Sequence, residues 1–200
     1  MRMSLGLLLS GGMDSVALAY WKRPAFAYTV DYGQLAADGE IRAAAAVCEQ
    51  LAITHRVLRA DCRKLGTGDL VGTAPSPLAP VPEWWPFRNQ LIITLAGAKA
   101  ITDKVTELMI GTIRTDGQHA DGRVDFIKEI SKLMSLQEGG IRVAAPAIDV
   151  SAVELMRISS VPLAILAWSH SCHVSALACG VCRGCTKHAA TMTELGYGDY

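Results

Sequence analysis

Charge of one sign is what this chain most plainly lacks. Its 19 lysines and arginines balance 19 aspartates and glutamates, so the formal net charge is zero. Such a balance offers no field to draw in a nucleic-acid backbone or an anionic membrane surface. Long apolar runs are missing as well. No stretch reaches the ~18 residues of a membrane span. Residues 5–9 are too few for the core of a secretory signal, and no small-residue cleavage pattern follows them. The expectation is a cytoplasmic chain with no nucleic-acid and no membrane partner. Internal repeats and low-complexity tracts are also absent. What is present is core. Half of the 200 residues are hydrophobic and 19% are charged, enough for one domain with a substantial interior.

Residues 5–9 are apolar on both faces and read as a buried parallel strand. A helix over 13–21 follows, broken before Pro24, then a strand over 25–30. The next elements are an alanine-rich helix over 40–51, a short strand over 55–58 and a long loop over 64–83 rich in proline and glycine. Beyond it come a helix over 89–102, a strand over 107–112 and a polar loop over 117–122. Residues 124–137 carry Phe126, Ile127, Ile130, Leu133 and Met134 on one stripe, the mark of an amphipathic helix. A strand over 141–145 stops at Pro146. Ser151 and Glu154 have the spacing of a capping box for a helix through Ile158. The end of the chain reads as a helix from Thr186 followed by polar residues. Strands alternating with helices imply a parallel sheet covered on both faces, a doubly wound α/β fold.

The first strand runs into Ser10-Gly11-Gly12-Met13-Asp14-Ser15. Two glycines let the backbone turn sharply and approach a ligand closely. The helix behind them starts with unpaired N–H groups and the positive end of its dipole, and the hydroxyls of Ser10 and Ser15 add donors. The loop suits phosphate oxygens at the carboxyl end of a strand, where open α/β sheets bind ligands. Asp14 is the odd member, since a carboxylate repels phosphate unless a cation stands between them. Mg²⁺ bridging Asp14 to a nucleotide is the expected answer. A bare Gly-Gly is also compatible with a simple capped turn; the whole string is more specific, and it lacks the lysine of the G-x-x-x-x-G-K-[ST] loop.

Four of the six cysteines crowd the far end as Cys172-x6-Cys179-x2-Cys182-x2-Cys185. Four thiolates suit a closed, structural Zn²⁺ site. The same residues are compatible with a redox C-x-x-C pair or an iron–sulfur cluster. His170, His173 and His188 flank the cysteines and are expected outside the ligand set. Cys48 reads as a core residue, and Cys62 as unconnected with chemistry.

The opening string resembles the pyrophosphate loop of ATP pyrophosphatases. Joined to the cysteine spacing, it resembles the 7-cyano-7-deazaguanine synthase family of queuosine biosynthesis over essentially the whole chain. Asp31-Tyr32-Gly33-Gln34 is similar to that family's D-Y-G-Q segment, and Pro86-Phe87-Arg88-Asn89 to its P-x-R-N segment. Thr115-Asp116, Asp121 and Arg123 fall where it reads its deazapurine. Ala145-Pro146, Asp149 and Glu154 echo the stretch before the zinc site. The resemblance implies an adenine nucleotide alpha hydrolase-like α/β domain over residues 1–168 with a zinc-binding segment over 169–200 packed on it. It implies a carbon–nitrogen ligase. ATP adenylates the carboxylate of 7-carboxy-7-deazaguanine, and ammonia displaces AMP to give the amide and then the nitrile. By similarity, Ser10, Gly11, Gly12, Met13, Asp14 and Ser15 bind ATP with Mg²⁺. Asp14, Gln34, Arg88 and Asn89 are the catalytic candidates. Arg88, Asn89, Asp116, Asp121 and Arg123 are the substrate-binding candidates. Cys172, Cys179, Cys182 and Cys185 hold zinc. Family members are often homodimers, with residues 161–168 as the candidate contact and core packing as its ordinary role.

Four departures stand out. Leu35 and Ala36 replace a basic Arg-His pair, Phe87 replaces a glycine, Ala152 replaces a lysine, and the loop after Asp116 is one residue short and lacks an aromatic. They bear on the amine and the second activation rather than on ATP or zinc. Two alternatives therefore accompany the synthase. One is the same adenylation serving another amine, such as a partner protein's N-terminus, as in relatives associated with anti-phage defence. The other is a nucleotide-binding subunit without catalysis.

Overall fold

The computed structural model describes residues 4–198. Five strands form one sheet in the order β3-β2-β1-β4-β5, and every neighbouring pair is parallel. They are β1 (Leu5–Leu8), β2 (Phe26–Asp31), β3 (Thr54–Arg59), β4 (Glu107–Ile110) and β5 (Arg142–Ala144). The helices between them are α1 (Met13–Lys22), α2 (Ala37–Leu51), α3 (Arg88–Thr102) and α4 (Val124–Ser135). The strand order runs outward from β1 to β3, then restarts on the other side of β1 with β4. A crevice must open above the carboxyl ends of β1 and β4, where the connections diverge.

Side-chain alternation explains the layers. Leu7 and Leu9 point to the face covered by α1 and α2, where they meet Val16, Leu18, Ala44, Val47 and Cys48. Leu8 points to the opposite face, against Ile93 and Ala96 of α3 and Ile127 and Ile130 of α4. Fully burying a leucine contributes ~1.5–3 kcal/mol, and both faces of β1 are lined with such contacts.

A third layer covers the outer side of α1. It consists of α5 (Ala152–Ser159), α6 (Leu163–Leu166) and α7 (Arg183–Glu194). Met13 and Ala17 of α1 pack there with Leu155, Met156, Val161, Leu166 and Met192. Val161 and Leu166 thus face the interior, while Leu163 and Trp168 keep exposed surface. Helix α5 starts with the capping box its sequence signals: Ser151 Oγ accepts from Glu154 N, and Glu154 Oε2 accepts from Ser151 N.

Three elements differ most from their sequence pattern. Helix α2 begins at Ala37 rather than at residue 40, because Gly39 is a helical residue and not a breaker. A Cβ there would stand 2.6 Å from His170 Nε2, so the glycine lets the C-terminal segment lie on the helix. The stretch from 64 to 83 is not a bare loop. It folds into 3₁₀ turns at Arg63–Leu65 and Gly68–Leu70, and it is tied down where buried Leu70 and Trp85 enter the core, Trp85 edge-on to Tyr32 with ring centres 4.8 Å apart. Helix α7 begins at Arg183, ahead of Thr186; residues 199 and 200 of the polar end lie outside the described residues. No helix among the described residues is long and apolar enough to cross a membrane.

Candidate nucleotide site and metal centre

The loop after β1 delivers α1 into the crevice. Gly11 takes φ +78°, and a Cβ on it would lie 2.8 Å from both Ala43 Cβ and the Glu40 carbonyl of α2. Gly12 is the N-cap, and no side chain caps the helix. Ser15 Oγ donates to the Gly12 carbonyl at 2.9 Å, Ser10 Oγ lies 3.3 Å from Ser15 Oγ, and Gly12 N donates to Ser10 Oγ. The two hydroxyls are held at the mouth of the turn. The first turn of α1, whose N–H groups have no intrahelical acceptor, lines the crevice with Gly12, Met13, Asp14 and Ser15.

A cavity of about 540 Å³ fills that crevice. Its wall brings together Ser10, Gly12, Met13, Asp14 and Ser15 with Arg88, Asn89 and Asp116, drawn from three separate connections. Gln34, Asp121 and Arg123 are not on this wall. Gln34 is buried beneath it: its Oε1 accepts from Tyr32 N, and its Nε2 donates to the Val30 carbonyl and to Glu40 Oε2 at 2.7 Å. Asp121 fixes the start of α3 by accepting from Asn89 N, while Asn89 Nδ2 donates to the Asp121 carbonyl. Arg123 Nε donates to the Gly117 carbonyl across the turn. Of the substrate candidates, Arg88, Asn89 and Asp116 reach the cavity, and Asp121 and Arg123 shape the loop behind them.

The C-terminal segment supplies a share of the wall that its sequence did not signal. His170, Ser171, His173, Arg183, Lys187, His188 and Thr191 all line the cavity. Lys187 Nζ stands 2.9 Å from Asp14 Oδ2. Asp14 Oδ1 is buried without a hydrogen-bond partner. Asp14 lines the cavity with its side chain mostly buried; burial pushes its carboxyl above the usual value, and the Lys187 ammonium opposes that rise. Burial pulls Lys187 down, but Asp14 and Asp116 outweigh it and hold the ammonium above its ordinary value. Arg183 is engaged twice, with Glu83 Oε1 at 2.8 Å and Gln118 Oε1 at 3.1 Å. It joins the long loop before α3 to the loop after β4. Glu40, on the cavity floor, is pushed up to about 7 by burial, against the Gln34 hydrogen bond and the Arg88 charge.

Beside this wall the four cysteine sulfurs converge. The Sγ atoms of Cys172, Cys179, Cys182 and Cys185 all lie within 4.8 Å of one another. Cys172–Cys182 and Cys179–Cys185 are each 3.9 Å apart. A tetrahedron with Zn–S bonds of about 2.3 Å has an edge of about 3.8 Å, so two edges of the set already match zinc and the others lie within about 1 Å of it. Backbone N–H groups of His173 and Cys185 point at Cys182 Sγ, and that of Cys182 at Cys179 Sγ. Such donors favour thiolates, and those at Cys179 pull its thiol down to about 6. Two of the flanking histidines hold other partners: His170 Nε2 is 3.0 Å from the Ser175 carbonyl and His188 Nδ1 is 3.0 Å from Ser171 Oγ. Cys172 also lines the cavity, so the metal centre and the crevice share a wall.

These features define a class: doubly wound α/β proteins built to take an anionic ligand at the switch point of the sheet, here with a cysteine centre suited to zinc. Comparison with known proteins narrows the class. A family model described as queuosine biosynthesis protein QueC matches residues 6–196, and the chain belongs to that family. It is similar to the 7-cyano-7-deazaguanine synthase of Methanosarcina barkeri, 28% identical over 218 residues that cover 96% of this chain and 94% of the relative. It is likewise similar to that of Desulforudis audaxviator, 32% identical over 206 residues, 90% of this chain and 92% of the relative. The enzyme of the same name from Methanosarcina mazei is 27% identical over 218 residues, 96% and 94% of the two chains.

Proposed function

We propose that this chain is an ATP-dependent ligase that adenylates the carboxylate of 7-carboxy-7-deazaguanine and passes the acyl group to ammonia, on the route to 7-cyano-7-deazaguanine. The observation that carries the proposal is the start of α1. An uncapped helix N-terminus, two held hydroxyls and a buried aspartate oxygen without a partner meet in one cavity with Arg88, Asn89 and Asp116. The first-turn N–H groups with Ser10 and Ser15 receive the pyrophosphate portion of ATP. Asp14 Oδ1 fits a hard cation, and Mg²⁺ there would neutralise phosphate charge and orient the leaving group.

Arg88 faces the substrate carboxylate across the cavity, and Asp116 meets the deazaguanine. One carboxylate oxygen attacks the α-phosphorus, the bond to the β-phosphate breaks, and pyrophosphate leaves with the electron pair. Ammonia then attacks the acyl carbon, AMP departs with the transferred oxygen, and the amide loses one proton to solvent. Activation of the amide oxygen by a second ATP, followed by loss of AMP and two protons, leaves the nitrile. Catalysis is positioning together with electrostatic stabilisation. Gln34 acts by holding Glu40, and Asp121 by holding Asn89. The test is incubation with 7-carboxy-7-deazaguanine, Mg-ATP and ammonium. AMP and pyrophosphate in equal amounts are expected; no AMP, or ADP with phosphate, overturns the proposal.

A second reading keeps the adenylation and changes the amine. Leu35, exposed where the family's basic pair begins, favours it, with buried Ala36 beside it. Intact-mass measurement of co-expressed neighbouring proteins then finds a deazapurine adduct; free nitrile alone excludes it.

A further inference from the structure

We propose that Lys187 is the resident cation of the nucleotide site, a catalytic ammonium standing between Asp14 and the phosphates and taking up charge that develops on the α-phosphoryl oxygens. The inference rests on the nucleotide reading above and adds a residue to it. The Ser10–Ser15 loop contains no lysine of its own, and its one charged residue is an aspartate. A carboxylate at a phosphate site requires a cation, and the fold brings one from 173 residues away: Lys187 Nζ, 2.9 Å from Asp14 Oδ2.

The other cations of the wall serve elsewhere. Arg183 is tied to Glu83 and Gln118, and Arg88, also on the wall, is assigned to the substrate carboxylate. An ammonium has three donors. One is taken by Asp14, leaving two for oxygens in the cavity that Lys187 lines. Asp14 holds Lys187 through Oδ2, and its unpartnered Oδ1 would remain for a metal ion.

The segment is built to hold this residue still. Cys182 is the N-cap of α7 and Cys185 lies in its first turn, so two of the four converging cysteines fix the start of the helix. Toward the other end, Met192 is fully buried against Met13 and Ala17 of α1. Lys187 lies between these anchors. The cysteine centre is thereby a positioning device for a residue of the reaction as well as a structural clip.

In the step it serves, a carboxylate oxygen forms its bond to the α-phosphorus as the bond to the β-phosphate oxygen breaks, and no proton moves. Lys187 remains an ammonium throughout and strengthens its contact as charge shifts onto the phosphoryl oxygens.

Two measurements test this. The first is acetylation of the zinc-loaded protein by an amine-reactive reagent, followed by peptide mass spectrometry with and without Mg-ATP. Mg-ATP is expected to protect Lys187 about tenfold and to leave Lys22 and Lys64 unchanged. The second is steady-state kinetics of Lys187→Met and Lys187→Arg. Loss of one preorganised transition-state donor lowers kcat by about 10²–10³-fold. That loss is expected in Lys187→Met with KM for ATP moving less than about tenfold, with zinc content unchanged and with partial recovery in Lys187→Arg. Undiminished kcat in Lys187→Met, or equal acetylation with and without nucleotide, overturns the assignment. If the wild type protects Lys187 but forms no AMP from 7-carboxy-7-deazaguanine, the substrate reading fails and Lys187 keeps its place. If Lys187→Met does not fold, the protection measurement decides.

Discussion

Replacing Gly11 by alanine tests how the crevice is assembled. The position has φ +78°, a left-handed conformation that costs an L-residue ~1–2 kcal/mol. The added Cβ would also sit 2.8 Å from Ala43 Cβ and from the Glu40 carbonyl, both on the rigid helix α2. Overpacking of that kind costs ~1–3 kcal/mol. Gly11→Ala is therefore expected to lose about 2–5 kcal/mol. For a chain of this length that is a fall of roughly 5–15 °C in the unfolding midpoint. The adjacent glycine is the control. Gly12 has φ −68°, and its Cβ would meet only Ser10 Oγ at 3.3 Å and the His170 carbonyl at 3.8 Å. Gly12→Ala should stay within ~0.5 kcal/mol of wild type. Urea unfolding of zinc-loaded protein, followed by circular dichroism, reads both. Equal stability of Gly11→Ala and wild type would refute the claim that α2 closes against the loop backbone.

Cys182→Ala removes both a converging thiolate and the N-cap of α7; bound zinc should fall from about one per chain to none by elemental analysis, with new protease cleavage after residue 171, and retained zinc would contradict the site. Glu40 offers a pH test. Its carboxyl rises from an ordinary 4.5 to about 7 on folding, so between those values the native state binds the proton more tightly and stability falls as pH rises, by up to ~3 kcal/mol. Glu40→Gln should lack that fall when urea midpoints at pH 5 and pH 8 are compared; an unchanged pH dependence contradicts the assignment. Arg183→Met leaves the Glu83 carboxylate, 7% exposed, without its cation. A loss of ~1–2 kcal/mol is expected, because Arg183 itself is half exposed, together with faster proteolysis between residues 60 and 87; unchanged proteolysis would argue against the tie.

What the sequence made legible was local. Apolar strands on both faces, the serine–glycine loop before α1, the Ser151–Glu154 box and the spacing of four cysteines each announce themselves within a few residues, because each rests on short-range geometry. What it hid was brought together by topology. Lys187, Arg183 and three histidines share a segment dominated by cysteines, and nothing in their spacing places them on one cavity wall with Asp14. Glu83 sits among prolines and reads as loop surface until Arg183 covers it. Gln34, Asp121 and Arg123 stand in the matching motifs, yet their side chains hold backbone and neighbours behind the wall. Phe87 takes a left-handed φ of 55° with its ring exposed, so the backbone turn before α3 forms without a glycine. A motif marks the neighbourhood of a site; which atoms face the ligand is decided by long-range packing.

The central claim is that an oxygen of the substrate carboxylate bonds to the α-phosphorus of ATP. Turnover of 7-carboxy-7-deazaguanine labelled with ¹⁸O in both carboxylate oxygens, with mass analysis of the nucleotide product, reads that bond directly. AMP carrying one labelled oxygen is predicted, with one labelled AMP for each amide or ligated product and two for each nitrile. Unlabelled AMP, or label confined to ADP or inorganic phosphate, would contradict the account.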